Sequence, residues 1–180
     1  MASFQCGDGL ANSQLCRIYM VMPMQFDLQD IASSTVLCWL ATTDIHGQPN
    51  VSPKEVFHLV DANTLLIADI ASPNSVRNIA ENRKVSVSLL DIFRQRGVKL
   101  TGVAKYKPFN EATILESEKI LVEKAGDFPV KGIITVEIVS TSSLVAPSYW
   151  IKPQESVEEK VALAMKRYGV QPAEDVSSKN

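Results

Sequence analysis

Short apolar segments rich in Val, Ile, Leu and Thr recur along this chain, and turns containing Gly, Pro, Asn or Asp separate them. This pattern predicts β-strands, because branched side chains pack well on a pleated sheet and turn residues end each run. Six strands are predicted in this way, over residues 35–43, 50–60, 64–69, 84–90, 98–106 and 130–139.

Apolar residues at helical spacing mark four other segments, which are predicted as helices over residues 27–33, 73–81, 110–124 and 156–168. Ser72 or Pro73 begins the second helix. Asn110 is expected to cap the third and Gly169 to stop the fourth. Residues 147–153 are expected to be extended. Strands joined by short turns, with few helices between them, predict a mainly β fold: a six-stranded antiparallel barrel with flanking helices.

Composition limits the function classes. The 180 residues suit one domain, and 46% hydrophobic with 21% charged residues is ordinary for a globular protein. The net charge of −2 gives no broad attraction to nucleic acid or to an anionic membrane. No apolar run reaches the roughly 18 residues that span a bilayer. We therefore expect neither nucleic acid nor membrane as a partner.

The cysteines point to a reduced compartment. Cys6, Cys16 and Cys38 form no C-x-x-C pair, and an odd number fits a cytoplasmic protein better than a disulfide framework. Cys6 and Cys16 as metal ligands are the weaker alternative to unpaired thiols, so no metal site is predicted. Cys38 lies in an apolar strand and is expected in the core. No Ser-His-Asp or Cys-His arrangement assigns a catalytic residue.

Two segments between residues 50 and 90 carry the candidate chemistry. Val51-Ser52-Pro53-Lys54 and Ser72-Pro73-Asn74-Ser75 each place small polar residues beside a bend. The second segment lies at a helix N-terminus, where free N–H groups and the helix dipole favour an anion, and Lys54 would add a positive charge. The stretch is interpreted as a phosphate site. The alternatives are a solvated edge lysine and an ordinary turn with an N-cap, which need the same residue types.

The chain also resembles a known family. The segments STVLCWLATTDIHGQPNVSPKEVF, LLIADIASPNSVRNIAENRKVSVSLLD and VKLTGVAKY, in this order and spacing, resemble the pyridoxamine 5′-phosphate oxidase-like split barrels that bind FMN. The resemblance covers roughly residues 30–140. It implies a homodimer with FMN in each of two clefts between the subunits. The barrel is expected over residues 25–150, and a C-terminal helix and tail over 151–180. The weakly patterned residues before the barrel are expected to form a flexible arm over residues 1–24, or a tail that precedes a true start at Met20, Met22 or Met24.

The resemblance assigns roles on two strands. Lys54 matches a basic residue on the FMN phosphate, and Val51 and Ser52 match positions whose backbone lies along the isoalloxazine ring. Ala68 and Asp69 match ribityl and phosphate contacts. The carboxylate of Asp69 would repel a phosphate, so its backbone is expected to make the contact.

The phosphate turn is matched by Ser72, Asn74 and Ser75, and Asn78 belongs to the R-N-I signature that supports this turn. The family's oxidases proper carry a basic pair where this chain has Asn74-Ser75, and a glutamine facing the flavin where it has Gly97. Their C-terminal Arg-x-His motif is absent. Oxidation of vitamin B6 is therefore not expected.

The resemblance leaves three functions open. The first is an FMN-dependent oxidoreductase that passes hydride or electrons between a reduced nicotinamide and a small acceptor or oxygen. The second is a non-catalytic FMN-binding or electron-transfer protein. The third is a haem- or deazaflavin-binding split barrel. Tyr149 and Trp150 would either cover the flavin or seal the core.

Overall fold

A computed structural model describes residues 26–172. Over this part of the chain the backbone forms one antiparallel sheet of seven strands in the order β2-β1-β5-β6-β7-β4-β3. The strands are β1 Cys38–Thr43, β2 Pro49–Lys54, β3 Phe57–Asp61, β4 Thr64–Asp69, β5 Lys84–Asp91, β6 Arg96–Pro108 and β7 Gly132–Val145. The predicted class, a mainly β antiparallel barrel with flanking helices, is confirmed.

The predicted number of six strands is wrong, because residues 50–60 form two strands. β2 pairs with β1, whereas β3 pairs with β4 at the other end of the sheet order. Between them the chain crosses over, and the carbonyl of Val56 accepts a hydrogen bond from the Ala68 N–H at 3.0 Å. Pro53 lies in the edge strand β2, where a missing N–H need not interrupt a ladder.

The helices pack around this sheet. They are α1 Leu28–Ser34, α2 Pro73–Glu81, α3 Glu116–Ala125, α4 Ser148–Ile151 and α5 Val157–Tyr168. Asn110 caps a 3-10 turn over Glu111–Thr113 instead of α3, which begins after Leu115. Gly169 ends α5 in the left-handed conformation with φ 68°, as expected. The segment expected to be extended contains α4.

The larger of the two core clusters in the described part of the chain lies inside the barrel, and the second packs α3 against β4 and β7. Leu40, Val87 and Leu100 are fully buried and opposite one another in register on β1, β5 and β6. Cys38 belongs to the same cluster, as predicted, and burial raises the pKa of its thiol to about 12. Cys6 and Cys16 lie outside the described residues. Within residues 26–172, every helix is too short or too polar to cross a bilayer.

Candidate functional site

Alternation along β2 places three polar side chains beside α2. Asn50, Ser52 and Lys54 occupy every second position of the strand and share one face. The Nδ2 of Asn50 lies 3.4 Å from Ser75 Oγ, and the Ser52 and Ser75 hydroxyls lie 3.1 Å apart. The first turn of α2 is therefore held against β2 by polar contacts.

Lys54 reaches the start of the helix. Its Nζ donates a hydrogen bond to Ser72 Oγ at 2.6 Å, and the lysine is only 6% exposed. Ser72 precedes the first residue of α2, but its hydroxyl makes no capping hydrogen bond to the helix. Burial lowers the pKa of Lys54 from its usual value, and the negative charge of Asp69 partly offsets this effect.

Asp69, at the end of β4, is the anion of this arrangement. Its Oδ1 accepts the backbone N–H of Ser72 at 2.9 Å, and its Oδ2 accepts the hydroxyl of Tyr106 at 3.2 Å. The carboxylate is buried at 5% exposure. Burial raises the pKa of Tyr106, and the charge of Asp69 raises it further. Ser72 thus contacts a buried cation through its hydroxyl and a buried carboxylate through its amide.

A second group of polar side chains fixes the middle of α2. Thr42 Oγ1 on β1 accepts from Asn78 Nδ2 at 3.1 Å and from Asn50 Nδ2 at 3.2 Å. Ser75 and Asn78 are almost fully buried, at 1% and 4% exposure. Asn78 therefore joins the middle of α2 to β1.

The other predicted residues lie differently. Val51 is 59% exposed, on the face of β2 opposite to Lys54. Ala68 is buried, and its N–H is used by the Val56 carbonyl. Asn74 is exposed and accepts from Arg77 Nη2 at 2.9 Å. Hydrogen bonds thus connect six of the nine predicted residues into two neighbouring groups, formed by Ser52, Ser75 and Asn78 and by Lys54, Asp69 and Ser72.

The family model described as pyridoxamine 5′-phosphate oxidase matches residues 26–119, just over half of the 180 residues. The chain belongs to this family. The match includes every strand and helix that contributes to the two polar groups, from β1 to β6. No curated protein matches the chain.

Solved structures resemble this member of the pyridoxamine 5′-phosphate oxidase family in fold. HupZ from Group A Streptococcus is 21% identical, with 66% of this chain and 96% of that chain covered and a TM-score of 0.55. An FMN-binding protein from Syntrophomonas wolfei is 15% identical, with 64% and 82% covered and a TM-score of 0.55. A Clostridium acetobutylicum protein related to general stress protein 26 is 14% identical, with 65% and 84% covered and a TM-score of 0.50. At these identities the likeness shows the fold alone.

Three residues of the site were missed by sequence reasoning: Thr42, Asn50 and Tyr106. Asn50 continues the alternation of Ser52 and Lys54, which is a signal that the sequence does contain. Thr42 lies opposite Asn50 in the register of β1 and β2. Tyr106 lies 37 residues from Asp69 and reaches it only because β6 and β4 both pair with β7. Non-local pairing of this kind leaves no local pattern.

Tyr149 lies away from both polar groups. Its hydroxyl donates to the carbonyl of Arg94 at 2.6 Å, and the Nζ of Lys160 stands 5.1 Å above its ring. These contacts connect α4 and α5 to the turn between β5 and β6. Of the two roles left open for Tyr149, its contacts favour the sealing of this end of the barrel.

The donors present suit the phosphate of a flavin nucleotide. Lys54 supplies an ammonium group, Ser52, Ser72 and Ser75 supply hydroxyls, and the α2 N-terminus supplies partial positive charge. β2 is an edge strand, so one side of its backbone has no neighbouring strand to pair with. That side can hydrogen-bond the polar rim of a planar ring.

Proposed function

We propose that this chain is an FMN-binding oxidoreductase of the pyridoxamine 5′-phosphate oxidase family. The observation that carries the proposal is the contact of Lys54 Nζ with Ser72 Oγ, 2.6 Å apart, at the first turn of α2. A buried ammonium group at a helix N-terminus is a favourable environment for a phosphate. The Syntrophomonas wolfei protein of similar fold is an FMN-binding protein, which supports this choice of ligand.

Each group would have a separate task in holding the cofactor. When bound, FMN supplies the transfer of hydride or electrons, here between a reduced nicotinamide and a small acceptor or oxygen. Lys54 and the serine hydroxyls bind the phosphate, and the backbone of Val51 and Ser52 positions the ring. Asn78 keeps α2 in place through Thr42. No side chain of the site has to act as acid or base in such a transfer.

The absorption spectrum of the purified protein tests the proposal. Flavin bands, bleached by NADH or NADPH over many turnovers, are the expected result. Flavin bands without turnover would instead show a non-catalytic FMN-binding or electron-transfer protein. A strong Soret band would show a haem-binding barrel. The spectrum of a bound deazaflavin would show that this ligand takes the place of FMN. Apoprotein that binds none of these ligands would contradict the proposal.

The outer surface of the sheet supports a homodimer. Alternate residues on β1 and β5 point away from the barrel. Trp39, Ala41, Ser86 and Ser88 in the middle of this surface are small or apolar, and the exposed Lys84 and Lys99 border them. Trp39 is 44% exposed and Val51 59% exposed, although both are apolar. Charged residues are depleted at the centres of protein interfaces. We call this surface the open sheet face and define it by Trp39, Ala41, Val51, Ser86, Ser88 and Thr101.

We expect the protein to sediment as a dimer at micromolar concentration and to hold flavin only in that state. Ser88→Arg should shift it to monomer and release the flavin, because the arginine would add a second positive charge beside Lys99, which lies opposite Ser88 in register, and bury it in the interface. Ser33→Arg, on the exposed end of α1, is the matched control and should remain a flavin-loaded dimer. A flavin-loaded monomer of the wild type would contradict the proposal.

A further inference from the structure

We infer that Asp69 determines how much negative charge the site accepts from its ligand. The inference rests on the proposed flavin site and concerns its selectivity between FMN and riboflavin, which differ by the phosphate. Asp69 is the specificity-determining residue: it disfavours the phosphate that Lys54 favours. The wild-type site is therefore expected to prefer FMN over riboflavin by less than about tenfold.

The first argument is the charge balance at Ser72. The two charged side chains that contact Ser72 are the ammonium of Lys54, at 2.6 Å from its hydroxyl, and the carboxylate of Asp69, at 2.9 Å from its amide nitrogen. These charges are opposite and equal, so the pair offers no net charge to a ligand. A phosphate that contacts Lys54 and Ser72 lies next to the carboxylate and is repelled by it.

The second argument is competition for the same donor. The Ser72 N–H is one of the groups that an anion at the start of α2 would use, and Asp69 Oδ1 already accepts it. The hydroxyl of Tyr106 donates to the other carboxylate oxygen at 3.2 Å. With a donor at each oxygen, the carboxylate is held in place and does not turn away from an incoming phosphate without losing hydrogen bonds.

The third argument is burial. Asp69 and Lys54 are 5% and 6% exposed, so little water or salt lies between them and a phosphate bound at Ser72. Electrostatic effects at buried positions are large and weakly screened. A carboxylate on the surface near a phosphate would change affinity little, whereas this one is expected to change it strongly.

Asp69→Asn separates charge from geometry. The amide oxygen of asparagine can still accept the Ser72 N–H, and its NH₂ group can donate to the hydroxyl of Tyr106, which also accepts hydrogen bonds. The turn and the helix start are therefore retained, and the negative charge is removed. If Asp69 only stabilises the turn, asparagine replaces it without any effect on ligand choice.

The experiment is a fluorescence titration of wild-type and Asp69→Asn apoprotein with FMN and with riboflavin. Asp69→Asn should bind FMN at least about tenfold more tightly and riboflavin within about twofold of the wild type. Asp91→Asn is the matched control, since Asp91 is also a buried carboxylate with a donor at each oxygen, at the opposite end of β6. Its Oδ1 accepts the backbone N–H groups of Phe93 and Arg94, and its Oδ2 accepts the Arg94 guanidinium. Asp91→Asn should leave the ratio of the two affinities unchanged.

The outcomes separate this inference from the proposed function. If neither flavin binds the wild type, the proposed function fails and the inference fails with it. If FMN binds but Asp69→Asn leaves the ratio unchanged, or lowers it, the inference alone is overturned. Should Asp69→Asn not fold, the wild type decides, because a preference for FMN above about tenfold contradicts a site that opposes the phosphate charge.

Discussion

Replacing Gly97 with alanine is expected to lower the free energy of unfolding by about 3 kcal/mol. Gly97 lies in β6, between Leu90 on β5 and Leu144 on β7. A Cβ atom at this position would overlap the carbonyl oxygen of Leu89 and lie 2.9 Å from the Cα of Leu90. Both obstacles are backbone atoms in a paired strand, so relief requires the strands to move apart and lose hydrogen bonds.

Urea denaturation of the wild type and of Gly97→Ala measures the difference in their free energies of unfolding. Lys99→Ala is the control on the same strand, because Lys99 is exposed and its truncation should change stability by no more than about 0.5 kcal/mol. Gly97→Gln, which introduces the residue expected from the family's oxidases, should destabilise at least as much as alanine. A loss below about 1 kcal/mol for Gly97→Ala would show that β5 and β6 can separate at little cost.

Gly97 also shows what a local sequence pattern leaves undecided. The segment Arg94-Gln95-Arg96-Gly97 has the composition of a turn, in which glycine is the residue that most readily takes a positive φ. In the structure β6 already begins at Arg96, and the positive φ of 54° belongs to Gln95. The glycine is required instead by the close approach of a neighbouring strand. A glycine in the sequence indicates either a positive φ or a close approach of a neighbouring strand, but it does not show which of the two applies.

The division of residues 50–60 has a similar cause. Alternation continues through β2 and into β3, so the pattern alone predicts one strand. The two halves have different partners, Cys38 opposite Lys54 and Ile67 opposite Phe57. The choice of partner depends on how the whole sheet closes, which is a non-local property. The local pattern therefore predicts a strand at these residues, but not the break that divides it in two.

The candidate site also has features that the local sequence predicts and features that depend on the fold. Ser72 and Ser75 were found because turn and helix-start chemistry is local, and Lys54 because it follows a strand proline within a family-like segment. The contacts between them, and the burial of Lys54 and Asp69, depend on packing α2 against β2 and β4. The sequence therefore predicts the chemical groups of the candidate site, and for Asp69 it leads us to expect a role for the backbone only.

Lys54→Ala is expected to weaken FMN binding by roughly 10- to 150-fold and riboflavin binding by less than about threefold. A charge-assisted hydrogen bond to phosphate contributes about 1.5–3 kcal/mol, and riboflavin has no phosphate. The loss of the ammonium also leaves the carboxylate of Asp69 without its opposing charge, so the variant should prefer riboflavin. Ser72→Ala and Ser75→Ala should act in the same direction by smaller factors, because neutral donors contribute about 0.5–1.5 kcal/mol each.

The measurement is a fluorescence titration of apoprotein with both flavins. Lys54→Met, which keeps most of the side-chain volume, separates the effect of charge from that of a cavity. Lys160→Ala is the matched control, since Lys160 is also buried, at 4% exposure, but donates to carbonyls beside α5. Both flavins should bind this control as they bind the wild type. Equal losses of FMN and riboflavin affinity in Lys54→Ala would make Lys54 a structural residue and move the phosphate away from α2.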